Sequence, residues 1–145
     1  MSEYLHLGAL KGIYMHPASY ALGHIALRVS NLARARAFYV ETLHFPAILE
    51  IPGRLLLNVH GIVIALLGDD PHTGQEDRFS PYRVGLDHLA LAVPDPQELN
   101  TLLEYLQQAG VPNHGLEEDE LTHARYISFY DPDGIAWELY ATTRR

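Results

Sequence analysis

Two short stretches of the chain repeat one pattern of bulky and small positions. In His24-Ile25-Ala26-Leu27-Arg28-Val29, the residues Ile25, Leu27 and Val29 fall on one side and His24, Ala26 and Arg28 on the other. In His88-Leu89-Ala90-Leu91-Ala92-Val93 the same split puts Leu89, Leu91 and Val93 against His88, Ala90 and Ala92. A period of two is the signature of a strand. Four of the six positions are identical and a fifth is Ile for Leu, so each stretch is expected to open one copy of a repeated unit. The bulky face is expected to pack on a helix. The other face, small residues around a single histidine, suits the floor of a cavity.

A helical segment follows each opening. In the second copy Asp95 is placed to cap a helix, Pro96 suits its first position and Glu98 completes a capping box. Leu99, Leu102, Leu103 and Leu106 then form one apolar stripe, and Gly110 ends it. In the first copy the helix is expected over about 32–43, capped by Ser30 or Asn31, with Leu32, Ala35, Phe38, Tyr39 and Leu43 on its buried side. Shorter strands come next: Ala47–Ile51, Arg54–Val59 and Ile62–Leu67 in copy one, His114–Glu118, Ala124–Tyr130 and Ile135–Ala141 in copy two. Pro52-Gly53, His60-Gly61 and Asp131-Pro132-Asp133-Gly134 supply turns. Each copy therefore reads β-α-β-β-β. Copy one spans about 22–70 and copy two about 87–142, within a single domain of 145 residues. Gly68 to Asp87, rich in Gly, Pro and Asp, links them. Residues 1–22 fit an extra strand, a short helix or a flexible arm.

Composition narrows the classes of function. Formal net charge is −8, with one lysine, Lys11, and nine scattered arginines; a duplex-binding surface needs clustered cations, so no nucleic-acid partner is expected. There is no cysteine, which excludes disulfides, thiolate ligands and a cysteine nucleophile. No signal peptide and no run of about 20 apolar residues stands in the sequence, so a cytoplasmic protein with no membrane partner is expected.

The candidate chemistry follows from the repeat. His24 and His88 hold equivalent positions, so packing of the copies about a pseudo-twofold axis would let them face one cavity. Glu138 lies in the last strand on the face opposite Trp137 and Leu139. A carboxylate among apolar neighbours is costly to bury without a partner, and a cation would offset that cost. Two histidines and a carboxylate suit one divalent ion, Fe, Mn, Ni, Co or Zn, with positions left open for substrate oxygens. Whether the three meet within one chain or across two is left open by the residues alone. Tyr126, Ser128 and Tyr130 share a strand face, so Tyr126 or Tyr130 is a candidate proton donor. Leu55, Leu57, Val63 and Leu67 are candidates for an apolar lining of the copy-one half.

These residues together resemble the vicinal oxygen chelate superfamily. The resemblance rests on the Gly23-His24-Ile25-Ala26-Leu27 and Asp87-His88-Leu89-Ala90-Leu91 openings, on Ala37-Phe38-Tyr39, and on the ending Asp131-Pro132-Asp133-Gly134-Ile135-Ala136-Trp137-Glu138-Leu139, and covers about 22–142. It implies an α+β fold in which two tandem βαβββ modules form a cupped mixed sheet around a metal-binding cavity, with His24, His88 and Glu138 as the ligands. It also implies where this chain departs from particular members. Ala65 stands where glyoxalase I carries a fourth ligand, and Ser128 where ring-cleaving dioxygenases carry a tyrosine. Their upstream histidine is farther away than His123 is here. Arg28, on the His24 face, is the candidate cation for an anionic substrate such as those of the fosfomycin-resistance enzymes. The expected function is thus a metal-dependent lyase, transferase or dioxygenase acting on a small oxygenated substrate, as a homodimer. The alternative is a metal-free module that sequesters a small molecule, as bleomycin-resistance relatives do.

Overall fold

The computed structural model describes residues 20–142; the alternatives for residues 1–22 lie almost wholly outside the described residues. The first module runs β1 (His24–Arg28), α1 (Leu32–Arg36), a π-helical segment (Ala37–Thr42), β2 (Ala47–Ile51), β3 (Arg54–Val59) and β4 (Ile62–Leu67). The second runs β5 (Leu89–Val93), α2 (Glu98–Gln108), β6 (Asn113–Glu118), β7 (Arg125–Tyr130) and β8 (Ala136–Ala141). Each module makes a four-stranded mixed sheet, in the orders β1-β4-β3-β2 and β5-β8-β7-β6. The opening strand lies parallel to the last strand of its own module, and the other pairings are antiparallel. The two-module βαβββ fold expected from the repeat is the one observed. The sheets remain separate, however: β1 and β5 are not hydrogen-bonded neighbours, so one chain does not close a single cupped sheet.

The helices differ from expectation in detail. Asn31 caps α1, its side chain accepting from the Arg34 amide at 2.8 Å. The expected continuous α-helix gives way at Ala37 to a wider turn, in which the Leu43 amide reaches back five residues to the Phe38 carbonyl at 2.9 Å. Within that turn the adjacent Phe38 and Tyr39 are both buried. In the second module Asp95 caps a tight turn ahead of the helix: its side chain accepts from the Gln97 amide at 2.9 Å and its carbonyl from the Glu98 amide at 3.1 Å. The helix proper starts at Glu98 with Gln97 at the cap position and no side-chain cap bond, so the expected cap, Asp95, stands two residues ahead of Gln97 and the capping box is not formed. Gly110, at φ 70°, closes α2 as expected, with Gly110 bonded to the Gln107 carbonyl and Val111 to that of Leu106, the paired bonds of a left-handed helix terminus.

The core lies between the modules. Leu27, Val29, Tyr39, Leu55, Leu57 and Leu66 of the first join Leu99, Leu106, Ile127, Phe129 and Trp137 of the second in one apolar cluster. The expectation that Leu55 and Leu57 line a pocket is corrected by the structure. They pair with Leu66 and Ile64, facing the helices, while Val63 and Leu67 belong to the opposite face. A strand side chain changes face with every residue, and two apolar faces cannot be told apart by composition.

The turn before β8 clasps the modules together. Ser30, Asp131 and Asp133 are the buried polar residues of the described chain. Asp133 accepts the Ser30 amide at 2.7 Å, the Ser30 hydroxyl, and Arg34 at 2.9 Å. Asp131 Oδ1 accepts the amides of Asp133 at 2.9 Å and Ile135 at 2.7 Å, and Oδ2 accepts the Tyr39 hydroxyl at 2.8 Å. Tyr39 Oη in turn accepts Trp137 Nε1–H at 3.0 Å. The buried side-chain polar atoms of the clasp are thus all paired, Asp131 Oδ1 within its own turn and the others across the junction, which burial requires. Burial pushes the Asp131 carboxyl up to about 6, against the Tyr39 hydroxyl and two backbone amides that hold it down.

Candidate metal centre on the open sheet faces

With the helices and core on one side of each sheet, the other side is left open. On the first module, register places His24 beside Val63, Ala26 beside Ala65 and Arg28 beside Leu67. On the second it places Ala90 beside Glu138 and Ala92 beside Tyr140, with Glu138 in turn beside Ser128 and Tyr140 beside Tyr126. Counting from each histidine, Ala65 and Glu138 occupy the same place in the two modules. Ser128 stands directly across from Glu138, and Tyr126 and Tyr130 flank it along β7.

The structure brings two of the three expected ligands together. His88 Nε2 lies 3.3 Å from Glu138 Oε2, with side chains 39% and 18% exposed. On its other side His88 Nδ1 lies 2.7 Å from Asp87 Oδ1. Sequence reasoning missed Asp87; its adjacency to His88 was visible, but chain neighbours need not share a hydrogen bond. Burial raises the Glu138 carboxyl above its usual value, the His88 ring opposes that rise, and the charges of Glu117 and Asp87 add to it. His24 is exposed and lies on the other sheet. Among the described residues no three His, Asp or Glu side chains converge closely enough to hold one ion.

The donor chemistry of the pair nevertheless fits a cation. With the proton of the neutral ring on Nδ1 and donated to Asp87, Nε2 presents a lone pair to a carboxylate oxygen. Two acceptors facing each other at 3.3 Å need a positive charge between or upon them.

The remaining candidates are placed as follows. The Tyr126 hydroxyl donates to Glu117 Oε2 at 3.4 Å, and that of Tyr130 lies 3.1 Å from His114 Nε2. Glu117 Oε1 is buried with no hydrogen-bond partner, and His114 Nδ1 stands 3.7 Å from it. Burial first, then the charges of Glu117 and Glu138, raise both tyrosines above their ordinary value. They therefore hold their protons, which makes them better hydrogen-bond donors than acids. Neither His114 nor Glu117 stood out in the sequence, because a half-exposed strand of mixed polarity carries no pattern. Arg28 sits four residues, roughly 13 Å, along β1 from His24, 3.5 Å from Asp70.

A family model for the Glyoxalase/Bleomycin resistance protein/Dioxygenase superfamily matches residues 21–139. The chain belongs to that superfamily. It is 31% identical over 126 residues to the uncharacterized protein YwkD of Bacillus subtilis, covering 83% of this chain and 95% of that one. A crystal structure of a glyoxalase family protein from Enterococcus faecalis superposes with a TM-score of 0.69 at 28% identity, covering 83% and 96% of the two chains. The fosfomycin resistance protein FosX of Listeria monocytogenes, solved as a point mutant in complex with Mn(II), shares the fold at a TM-score of 0.66 and 24% identity, covering 85% and 90%. Among the described residues no helix is long and apolar enough to cross a membrane.

Proposed function

We propose that the protein is a divalent-metal-dependent enzyme acting on a small oxygenated substrate. In this reading the chain is one domain of two modules, and it works as a homodimer. His88 and Glu138 of one protomer meet the partner's His24, because one chain leaves His24 apart while both open faces stand ready to be covered. The observation that carries the reading is the His88–Glu138 pair at 3.3 Å with Asp87 fixing the far ring nitrogen at 2.7 Å. A divalent ion held there supplies Lewis acidity to adjacent oxygens of a substrate.

The chain's own residues do the rest. Asp87 orients the His88 ring and increases its basicity. Tyr126 and Tyr130, protonated and flanking the position across from Glu138, offer hydrogen bonds to substrate oxygens. Arg28 offers positive charge at the far end of the His24 face. Ala65 leaves three protein ligands and so more than one position for substrate or water, which argues against a glyoxalase I reaction. Ser128 in place of a tyrosine argues against ordinary ring cleavage.

A proton bridging the same pair would make His88 an imidazolium between two carboxylates, and metal content separates the two cases. Protein purified without a metal-affinity tag is expected to carry about one divalent ion per chain, lost in His24→Ala, His88→Ala and Glu138→Ala. Mixed dimers of His24→Ala with Glu138→Ala protomers should regain half of the sites. Absence of metal, even after soaking with Mn, Fe, Ni, Co or Zn salts, would refute the reading and leave a module that sequesters a small molecule.

A further inference from the structure

A concave site lies away from the His88–Glu138 pair. The end of β1, the connection between β4 and β5, and the turn before β8 enclose a pocket of about 330 Å³. Its lining includes Arg28, Arg78, Arg83 and Ser80, together with Phe79 and Leu86, but none of His24, His88 or Glu138. Three of the chain's ten basic residues therefore converge on one pocket of a protein whose formal net charge is −8.

Asp77 and Asp133 also line the pocket, so its arginines outnumber its carboxylates three to two, and Asp77 is engaged by the Arg78 amide at 2.9 Å. Asp133 already takes the Ser30 amide, the Ser30 hydroxyl and Arg34, and Arg78 stands farther off at 3.9 Å. Arg78 is braced from behind, its guanidinium donating to the carbonyls of Gln75 at 3.1 Å and Asp77 at 2.7 Å. Arg28 is 3.5 Å from Asp70, longer than a good charge-assisted bond. Arg83 makes no ion pair or side-chain hydrogen bond among the described residues.

We propose that this pocket binds a small organic acid. The acid group, carboxylate or phosphate, sits on Arg83 and Arg28 with the Ser80 hydroxyl, and an apolar body lies against Phe79 and Leu86. The planar guanidinium fork matches the oxygens of either acid, and the volume is that of a small-molecule site rather than a macromolecular groove. Ala26 and Arg28 share a strand face with His24. Arg28 lies roughly 13 Å along β1 from His24, so only an acid long enough to span that distance would also reach the candidate metal centre, which would make the acid group a substrate feature. That last step rests on the metal reading; binding itself does not.

The test uses amide chemical shifts and calorimetry on the intact protein, with benzoate and phenyl phosphate as probes and inorganic phosphate and benzylamine as comparisons. Either aromatic acid should move the amides of Phe79, Ser80 and Arg83 and bind more tightly than inorganic phosphate, and benzylamine should not bind. A preference for benzoate points to a carboxylic acid, and one for phenyl phosphate to a phosphate ester. Arg83→Ala should weaken binding at least about fivefold, the scale of one lost charge-assisted contact, and Arg83→Lys should recover part of it. Metal content should be the same in Arg83→Ala as in wild type, so failure here is distinct from failure of the metal reading. Unchanged affinity in Arg83→Ala, shifts confined to β5 and β8, or no binding of either acid would overturn the proposal.

Discussion

Replacing Tyr39 by phenylalanine removes one oxygen atom from the junction of the two modules. That oxygen accepts from Trp137 Nε1 at 3.0 Å and donates to Asp131 Oδ2 at 2.8 Å, with Tyr39 and Trp137 0% and 1% exposed. Both partners are buried, Trp137 at 1% and Asp131 at 5% exposed, so water is a poor substitute for the lost oxygen. The indole N–H is left unpaired at a cost of about 1–3 kcal/mol, and the carboxylate oxygen loses a hydrogen bond of the stronger, charge-assisted kind. Asp131 keeps its two bonds through Oδ1, and the aromatic packing on Phe38, Phe45 and Trp137 is retained. The net loss should be about 2–4 kcal/mol, or roughly 2–4 °C of melting temperature for each kcal/mol in a chain of this size. The single tryptophan is itself a partner, so urea unfolding followed by its emission reads the junction directly, with circular dichroism as the second probe. Tyr105→Phe is the comparison. Its hydroxyl donates to the Thr42 carbonyl at 2.6 Å but the residue is 39% exposed, so water replaces the bond and the loss should stay below about 1 kcal/mol. A Tyr39→Phe loss under about 0.5 kcal/mol would show that the clasp is not what joins the modules.

Asp131 gives a pH signature. Its folded value, raised to about 6 from 3.8, means that the folded state holds the proton more tightly, so its contribution is complete below the unfolded value and is lost as pH rises through about 6. Unfolding free energies of wild type minus Asp131→Asn should therefore fall by about 2–3 kcal/mol between about pH 4 and 6.5; a flat difference would refute this. A methyl at Gly68 would meet Leu32 Cβ at 2.7 Å and its backbone at 3.4 Å, so Gly68→Ala should destabilise by about 1–3 kcal/mol in the same urea assay, and a neutral result would mean that α1 shifts freely. If His88 is a ligand, Asp87→Asn should weaken metal affinity about 10–100-fold while leaving the melting temperature of metal-free protein unchanged. Equal affinity would remove Asp87 from the site.

Much of the fold was legible because it is written in strand alternation and helix stripes, which depend on neighbours in sequence. The boundaries of β2, β3 and β4 fell where the turn residues put them, since Pro52-Gly53 and His60-Gly61 leave the backbone few choices. The wide π turn was not legible, because Phe38 and Tyr39 read equally well as adjacent positions of an ordinary amphipathic helix. The placement of Leu55 and Leu57 failed for a related reason: β3 is apolar on successive residues, so only packing decides which face meets the helices.

The sequence by itself determined two copies of one βαβββ unit, the equivalence of His24 and His88, and the face on which Glu138 lies, because these follow from periodicities of two and 3.6 and from a repeat. Only the tertiary structure decided how the modules meet. It turned Asp131 and Asp133, which read as turn formers, into a buried clasp on Tyr39, Trp137, Ser30 and Arg34. It also set Asp87 on His88, left His24 on a separate sheet, and drew Arg28, Arg78 and Arg83 around one pocket. Those contacts join residues up to 103 positions apart, and such pairings are chosen by which apolar faces bury each other, a global balance that no local pattern encodes.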